Sequence, residues 1–164
     1  MRFYTRFCAG LSKYSLMLAI AGLIGVVLGV QYQVIGRYVF NDTPVWAEAA
    51  SMLLVLYVTA LGLAVGVRDA GHIGLESMVV LLPKQWQDRI AILVHALVAL
   101  FGALMVYGGA IWAQAKWGET KPLLGLPDSV DYFPLVIAGA LIVLFSIEHI
   151  AALLTGKTVE PAWN

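Results

Sequence analysis

Two histidines, His95 and His149, carry the spacing most suggestive of cofactor chemistry. Each lies about 8 Å in from the end of a long apolar segment, at a rise of about 1.5 Å per residue. Imidazoles at one depth on adjacent antiparallel helices are the arrangement that ligates a b-type haem. Glu148, next to His149, points instead to a polar patch near a membrane interface. A second pair, Arg37 and Glu48, flanks a short connection between two apolar segments. It reads as an ion pair fixing two helices or contacting a partner, with snorkelling to headgroups as the plainer use of the same side chains. Arg68 and His72, four residues apart where an apolar run stops, suit a lipid phosphate or a partner loop near a helix C-terminus. No Walker motif and no nucleophile–base pair is present, so neither ATP hydrolysis nor acyl transfer is supported and no enzyme is expected. No charge falls at the centre of an apolar segment, and no segment is interrupted in the manner of a transporter's central site.

Composition sets where these residues must sit. Of 164 residues, 61% are hydrophobic and 12% charged, and the mean hydropathy is +0.86. A soluble domain is about one quarter charged, so this chain is read as an integral membrane protein. Its zero net charge gives no support for nucleic-acid binding. Cys8, the single cysteine, precludes an internal disulfide and reads as a small residue near a membrane surface.

Four segments have the roughly 20 apolar residues that a crossing needs: about 14–36, 45–67, 90–113 and 132–154. The first is too long for a signal peptide, and Gln31–Arg37 offers no small-residue cleavage site. Tyr14, Tyr32, Trp46, Trp86, Trp112, Trp117 and Tyr132 fall near the boundaries, where aromatic rings favour headgroups. Tyr57 lies mid-span and is the exception. Between the second and third spans, Leu75, Met78, Val79 and Leu82 recur at helical spacing, with Trp86 continuing the face. This predicts an interfacial amphipathic helix over about 73–83, too short to cross. Arg2, Arg6, Lys13, Arg68, Lys84, Arg89 and Lys157 lie on the side of the termini and this helix. Only Arg37, Lys116 and Lys121 lie on the other, so both termini are expected in the cytoplasm. The expected fold is all-α, one four-helix membrane domain over 1–164.

Turn chemistry is also legible. Thr43 is a candidate N-cap, with Pro44 at the first helical position. Pro122, Gly125 and Pro127 deny a helix to the 118–131 connection. Leu123, Leu124 and Leu126 imply that it packs or dips into the interface, and Asp131 is the candidate cap of the last helix. Gly25-x3-Gly29 and Gly62-x3-Gly66 allow close helix approach, read as internal packing.

These residues resemble the small membrane subunit, DctQ type, of tripartite ATP-independent periplasmic (TRAP) transporters. The resemblance rests on Arg37-Tyr38-Val39-Phe40-Asn41 followed by Pro44, Trp46 and Glu48, then Gly62, Arg68, His72 and Pro83. It continues through Lys121-Pro122-Leu123-Leu124-Gly125-Leu126-Pro127, with Tyr132, Pro134 and Gly139. Ala49 stands where the family commonly has a second acidic residue beside the Glu48 position. The resemblance implies a multi-pass subunit of the bacterial inner membrane, without turnover or cofactor of its own. It implies a stable complex with a large permease subunit that holds the substrate and sodium sites, where the small subunit enlarges a static scaffold for elevator-type uptake of an organic acid. A periplasmic substrate-binding protein would dock transiently, near Asp42, Lys121, Leu124, Pro127 and Asp128. Arg37, Trp46 and Glu48 are the candidate helix-pair or partner contacts. Arg68, His72, Leu75, Met78, Leu82 and Trp86 are the candidate contacts to lipid or partner at the cytoplasmic interface. The alternative is a haem-bearing membrane anchor of a redox enzyme, through His95 and His149.

Overall fold

The computed structural model describes residues 2–42, 44–70 and 83–155. Helix α1 runs from Arg2 to Val39 and α2 from Val45 to Val65, continuing into a π-helical turn over Gly66–Ala70. Helix α3 spans Lys84–Ala115. A 3-10 turn at Asp128–Asp131 leads into α4, Phe133–Leu154. All four helical units are long and apolar enough to cross a membrane. Helices suit that solvent because each satisfies its own backbone polar groups. The protein is therefore an all-α, multi-pass membrane protein.

The helices outrun the expected spans at one end. Helix α1 begins twelve residues before Tyr14 and α3 six residues before Ile90, because nothing in either flank breaks a helix. The interfacial helix expected over 73–83, with His72, Leu75, Met78 and Leu82, and the Thr43 cap lie outside the described residues. Prolines set the helix starts. Pro44 stands at the N-cap position of α2, not at the first helical position expected for it, and Pro83 at that of α3; their carbonyls accept from Ala47 and Trp86 at 2.9 and 2.8 Å. Pro134 lies in the first turn of α4, where a missing N–H is harmless. Asn41, at φ 51°, takes the left-handed conformation that asparagine tolerates and reverses the chain after α1.

The packing is a row. Helix α1 lies along α2, α2 against α4, and α4 along α3, while α1 and α3 scarcely meet among the described residues. The start of α1, the end of α2, the start of α3 and the end of α4 form one end of the row, here the basal end. The turns at 40–44 and 116–132 form the apical end. The apolar core is small and basal, built from Cys8, Ala64, Leu141, Ile142 and Phe145. Elsewhere large side chains such as Leu23, Leu28, Leu100 and Leu104 stand more than half exposed, a surface suited to lipid.

Glycines set two of the contacts. On the α1–α2 face, a Cβ at Gly22 would meet Val58 at 2.6 Å and one at Gly29 would meet Ser51 at 2.8 Å. Between α3 and α4, a Cβ at Gly139 would lie 2.6 Å from the Gly102 carbonyl oxygen, and one at Gly102 would lie 2.9 Å from that of Gly139. Gly25 also faces α2, whereas Gly62 and Gly66 meet nothing within 4 Å. Among the described residues, only the first of the two small-x3-small patterns is thus spent on internal packing.

Candidate functional site

Charge inside the protein converges on Arg68, in the π turn. Neighbouring residues in an α-helix point about a quarter-turn or more apart. The wider i→i+5 turn lets Arg68 and Asp69 both face inward, 2% and 9% exposed. From α4, Glu148 meets the guanidinium as a fork: Arg68 Nε donates to Oε2 at 2.9 Å and Nη2 to Oε1 at 3.1 Å. Arg68 Nη1 donates to Asp69 Oδ1, and Asp69 Oδ2 accepts from the Ser12 hydroxyl of α1. The guanidinium also sits 5.9 Å from the centre of the Phe145 ring. A bidentate, charge-assisted arrangement is the strongest form of such a bond and leaves few donors unmet. Nearby, the Tyr4 hydroxyl donates to the Leu144 carbonyl at 2.8 Å, tying the start of α1 to α4.

The histidines join the same cluster. His149 Nε2 lies 2.9 Å from the Arg68 carbonyl oxygen. A carbonyl can only accept, so Nε2 carries the proton, and His149 satisfies a backbone oxygen left over at the end of α2. His95 of α3 stacks on His149, with ring centres 4.4 Å apart and planes 7° from parallel. The haem reading finds no support in this arrangement. Axial ligands must aim nitrogens at opposite faces of a macrocycle lying between them. Rings in face-to-face contact leave no such gap, and His149 Nε2 is already engaged. The two histidines do occur at one depth, as their positions in the sequence imply, but they serve to bring α3 to the cluster.

Arg68 is accordingly corrected from an interfacial contact to a buried ion-cluster centre, because Glu148 and Asp69 replace the water and headgroups it would otherwise need. Trp86, the one interfacial candidate besides Arg68 within the described residues, is 56% exposed, with the Arg89 guanidinium 5.7 Å from its ring centre.

At the apical end, Arg37 and Glu48 form no ion pair. Glu48 accepts from Gln33 Nε2 at 3.5 Å, while Arg37 stays exposed. Trp46 packs on Tyr32 of α1, with ring centres 6.0 Å apart. The helices are thus joined by an aromatic pair and an amide, not by opposite charges.

The 119–128 connection is a tight hairpin. Thr120 and Pro127 form an antiparallel bridge, Lys121 N–H donates to the Leu126 carbonyl at 2.8 Å, and Gly125 adopts φ 65°, where glycine has no steric penalty. Asp131 does not cap α4. Its carboxylate holds Lys121 Nζ at 2.6 Å, with Asp128 at 3.4 Å on the same ammonium. Leu124, Pro127 and Asp128 are half-buried and Asp42 is exposed. Tyr57, out of place as a boundary residue, has its reason here: its hydroxyl donates to the Val130 carbonyl at 3.1 Å.

The hydrogen bond to Asp131 pushes the Lys121 pKa above the usual lysine range. A raised folded-state value gives stability that is complete below the unfolded value of about 10.4 and is lost as pH rises through the folded one. Stability is therefore expected to show an alkaline fall that Lys121→Gln lessens, by about 1 kcal/mol or less for a partly exposed pair. Unfolding midpoints between pH 8 and 11.5 check this, and identical alkaline profiles for the two proteins would sink it.

The row of four apolar helices and the buried cluster define a multi-pass membrane protein whose helices are tied to one another by charge held out of the lipid. The profile of the tripartite ATP-independent periplasmic transporters, DctQ component, matches residues 26–156, and the chain belongs to this family of small TRAP permease subunits. A putative TRAP transporter small permease protein of Haemophilus influenzae is 23% identical over 133 residues, covering 79% of this chain and 81% of the relative. The C4-dicarboxylate TRAP transporter small permease protein DctQ of Vibrio cholerae is 26% identical over 104 residues, 60% of this chain and 44% of the relative. The sialic acid TRAP transporter permease protein SiaT of Haemophilus influenzae is 28% identical over 131 residues, 79% of this chain but 21% of that longer protein.

Proposed function

We propose that this subunit forms a stable complex with a large permease subunit in the bacterial inner membrane, and that it enlarges and anchors the static scaffold of a sodium-coupled importer for an organic acid. The observation that carries the reading is the likeness to SiaT: a stretch similar to most of this chain makes up about a fifth of a longer permease protein. The remainder of such a protein is the kind of partner this chain would need when the two are separate. The relatives named for C4-dicarboxylate and sialic acid transport support an organic acid as cargo.

The geometry suits a scaffold. A part that must stay still while its partner moves gains from discrete, geometrically specific ties, and the cluster around Arg68 supplies them to all four helices. We further assign the basal end to the cytoplasm. Arg6, Lys13 and Arg89 are exposed there against Asp88, since Asp69 and Glu148 are consumed inside. The apical end exposes Asp42, Glu48 and Glu119 beside Arg37. That end would meet the substrate-binding protein, and the 73–83 segment would lie on the cytoplasmic leaflet as a lipid-facing brace.

Deleting this subunit from cells that retain the large permease and binding protein is expected to abolish sodium-dependent uptake, with return on re-expression. Uptake that persists unchanged would remove the proposed role. Purification from the same cells should yield a colourless complex with a large polytopic protein.

A further inference from the structure

Among the described residues, the outward face of the first turns of α1 gathers more cations and aromatic rings than the other lipid-suited faces, the nearest parallel being Trp86 with Arg89 at the start of α3. Residues 3, 6, 7, 10, 13 and 14 fall on one side of a helix by their spacing. Phe3, Arg6, Phe7, Lys13 and Tyr14 stand exposed there, with Gly10 among them, where even a Cβ would meet nothing within 4 Å. The face therefore carries two cations and three aromatic rings around a shallow gap. Neither Arg6 nor Lys13 has an acidic partner among the described residues. Beyond Arg89, the exposed face of α3 shows Leu93, Leu97, Leu100 and Leu104.

The depth of this face is fixed from behind. Cys8 and Ser12, on the opposite side of the same turns, are fully buried. Ser12 donates to Asp69, and Tyr4 reaches Leu144, so the turns are clamped level with residues 144–148 of α4. Helix α4 continues only to Leu154, about 9 Å beyond Glu148 at 1.5 Å per residue. Arg6 and Lys13, about 10 Å apart along the axis, are thus held at the basal end of the row, and cannot slide outward without breaking the buried contacts. Lysine and arginine at that level extend toward phosphate, and aromatic rings favour the same layer.

We propose that this face of α1 is a binding site for anionic phospholipid, with Arg6 and Lys13 taking the headgroup phosphates, and Phe7 and Tyr14 bordering the gap at Gly10 where an acyl chain enters. The match is one of charge: cations without an acidic partner among the described residues attract lipids with net negative charge over zwitterionic ones. The site depends on the fold alone and stands whether or not the subunit scaffolds a sodium-coupled importer.

The test titrates the purified full chain in neutral detergent with short-chain phosphatidylglycerol and, separately, phosphatidylcholine, following the unfolding midpoint. Phosphatidylglycerol is expected to stabilise in a saturable manner that raised salt weakens. Arg6→Gln with Lys13→Gln is expected to weaken its apparent affinity about 30-fold, while the charge-retaining pair Arg6→Lys with Lys13→Arg keeps most of it. Equal response to phosphatidylcholine, salt-independent binding, or unchanged affinity in the glutamine pair would each overturn the site. If the glutamine pair instead releases a co-purified large permease with lipid affinity intact, the face belongs to a protein partner and the lipid site is refuted. Salt dependence and the charge-retaining pair decide the matter even if the glutamine pair fails to fold.

Discussion

Replacing Arg68 with methionine is expected to destabilise the subunit by about 3–5 kcal/mol, the cost of leaving buried carboxylates without their cation. Asp69 and Glu148 would face each other without a cation across a site almost closed to solvent. Lysine is no substitute: one ammonium cannot reproduce the fork to Glu148 together with the third bond to Asp69, so Arg68→Lys should recover only part of the loss. The informative variant removes all three charges at once. Arg68→Met with Asp69→Leu and Glu148→Met is expected to regain most of the stability, because apolar groups of similar volume often replace a buried ion pair at little cost. Unfolding of each purified variant in detergent checks the series. Arg68→Met within about 1 kcal/mol of the parent would show that the cluster does not hold the helices.

The second large effect is steric. Gly139→Val should drive α3 and α4 apart, since its Cβ alone would sit 2.6 Å from the Gly102 carbonyl oxygen, with Val106 and Met105 at 2.9 and 3.0 Å. Backbone cannot turn aside as a side chain can, so the cost is expected at or above the roughly 1–3 kcal/mol usual for overpacking. Without a hydrophobic force between helices in lipid, close backbone contact is a principal source of their association. Gly108→Val, at a position where a Cβ meets nothing within 4 Å, is the matched control and should be near neutral. Glycine is the poorer helix former in both pairs, so propensity cannot cause a loss, and comparable losses in the two would show that the α3–α4 approach is not what Gly139→Val disturbs.

Much of the fold was legible before any geometry. Length, hydropathy and aromatic boundaries marked four crossing segments, and Pro44 and Pro134 marked the starts of the second and fourth, whereas the start of α3 at Pro83 was placed some six residues too late. The buried cluster was not legible, for a definite reason. Arg68 and Asp69 stand where an apolar run ends, and from sequence the end of a run means water or headgroups. That Glu148 lies across from them depends on α2 and α4 running side by side, which no local pattern encodes. The clue available was Glu148 itself, an acidic residue before the end of an apolar segment, which reads as a polar patch near an interface while nothing in the sequence names Arg68 as its cation. The Arg37–Glu48 pair failed in the opposite sense: proximity along the chain is not proximity of side chains, and Gln33 stands one turn nearer to the carboxylate. Asp131 was misassigned because capping is a local habit, whereas Lys121 reaches it across a hairpin. Tyr57 was an anomaly only while its partner, the Val130 carbonyl, was unknown.

The place of Cys8 has a practical consequence. It is the sole thiol in the sequence, it has no solvent-exposed surface, and it lies one turn from Ser12 and one from Tyr4, both of which tether α1. Its alkylation by a maleimide must wait for α1 to part from α4, so the labelling rate is an intrinsic clock for breathing at the basal end. The unaltered protein thus carries its own single-site reporter, which would register whether a bound partner or lipid makes that end open more slowly.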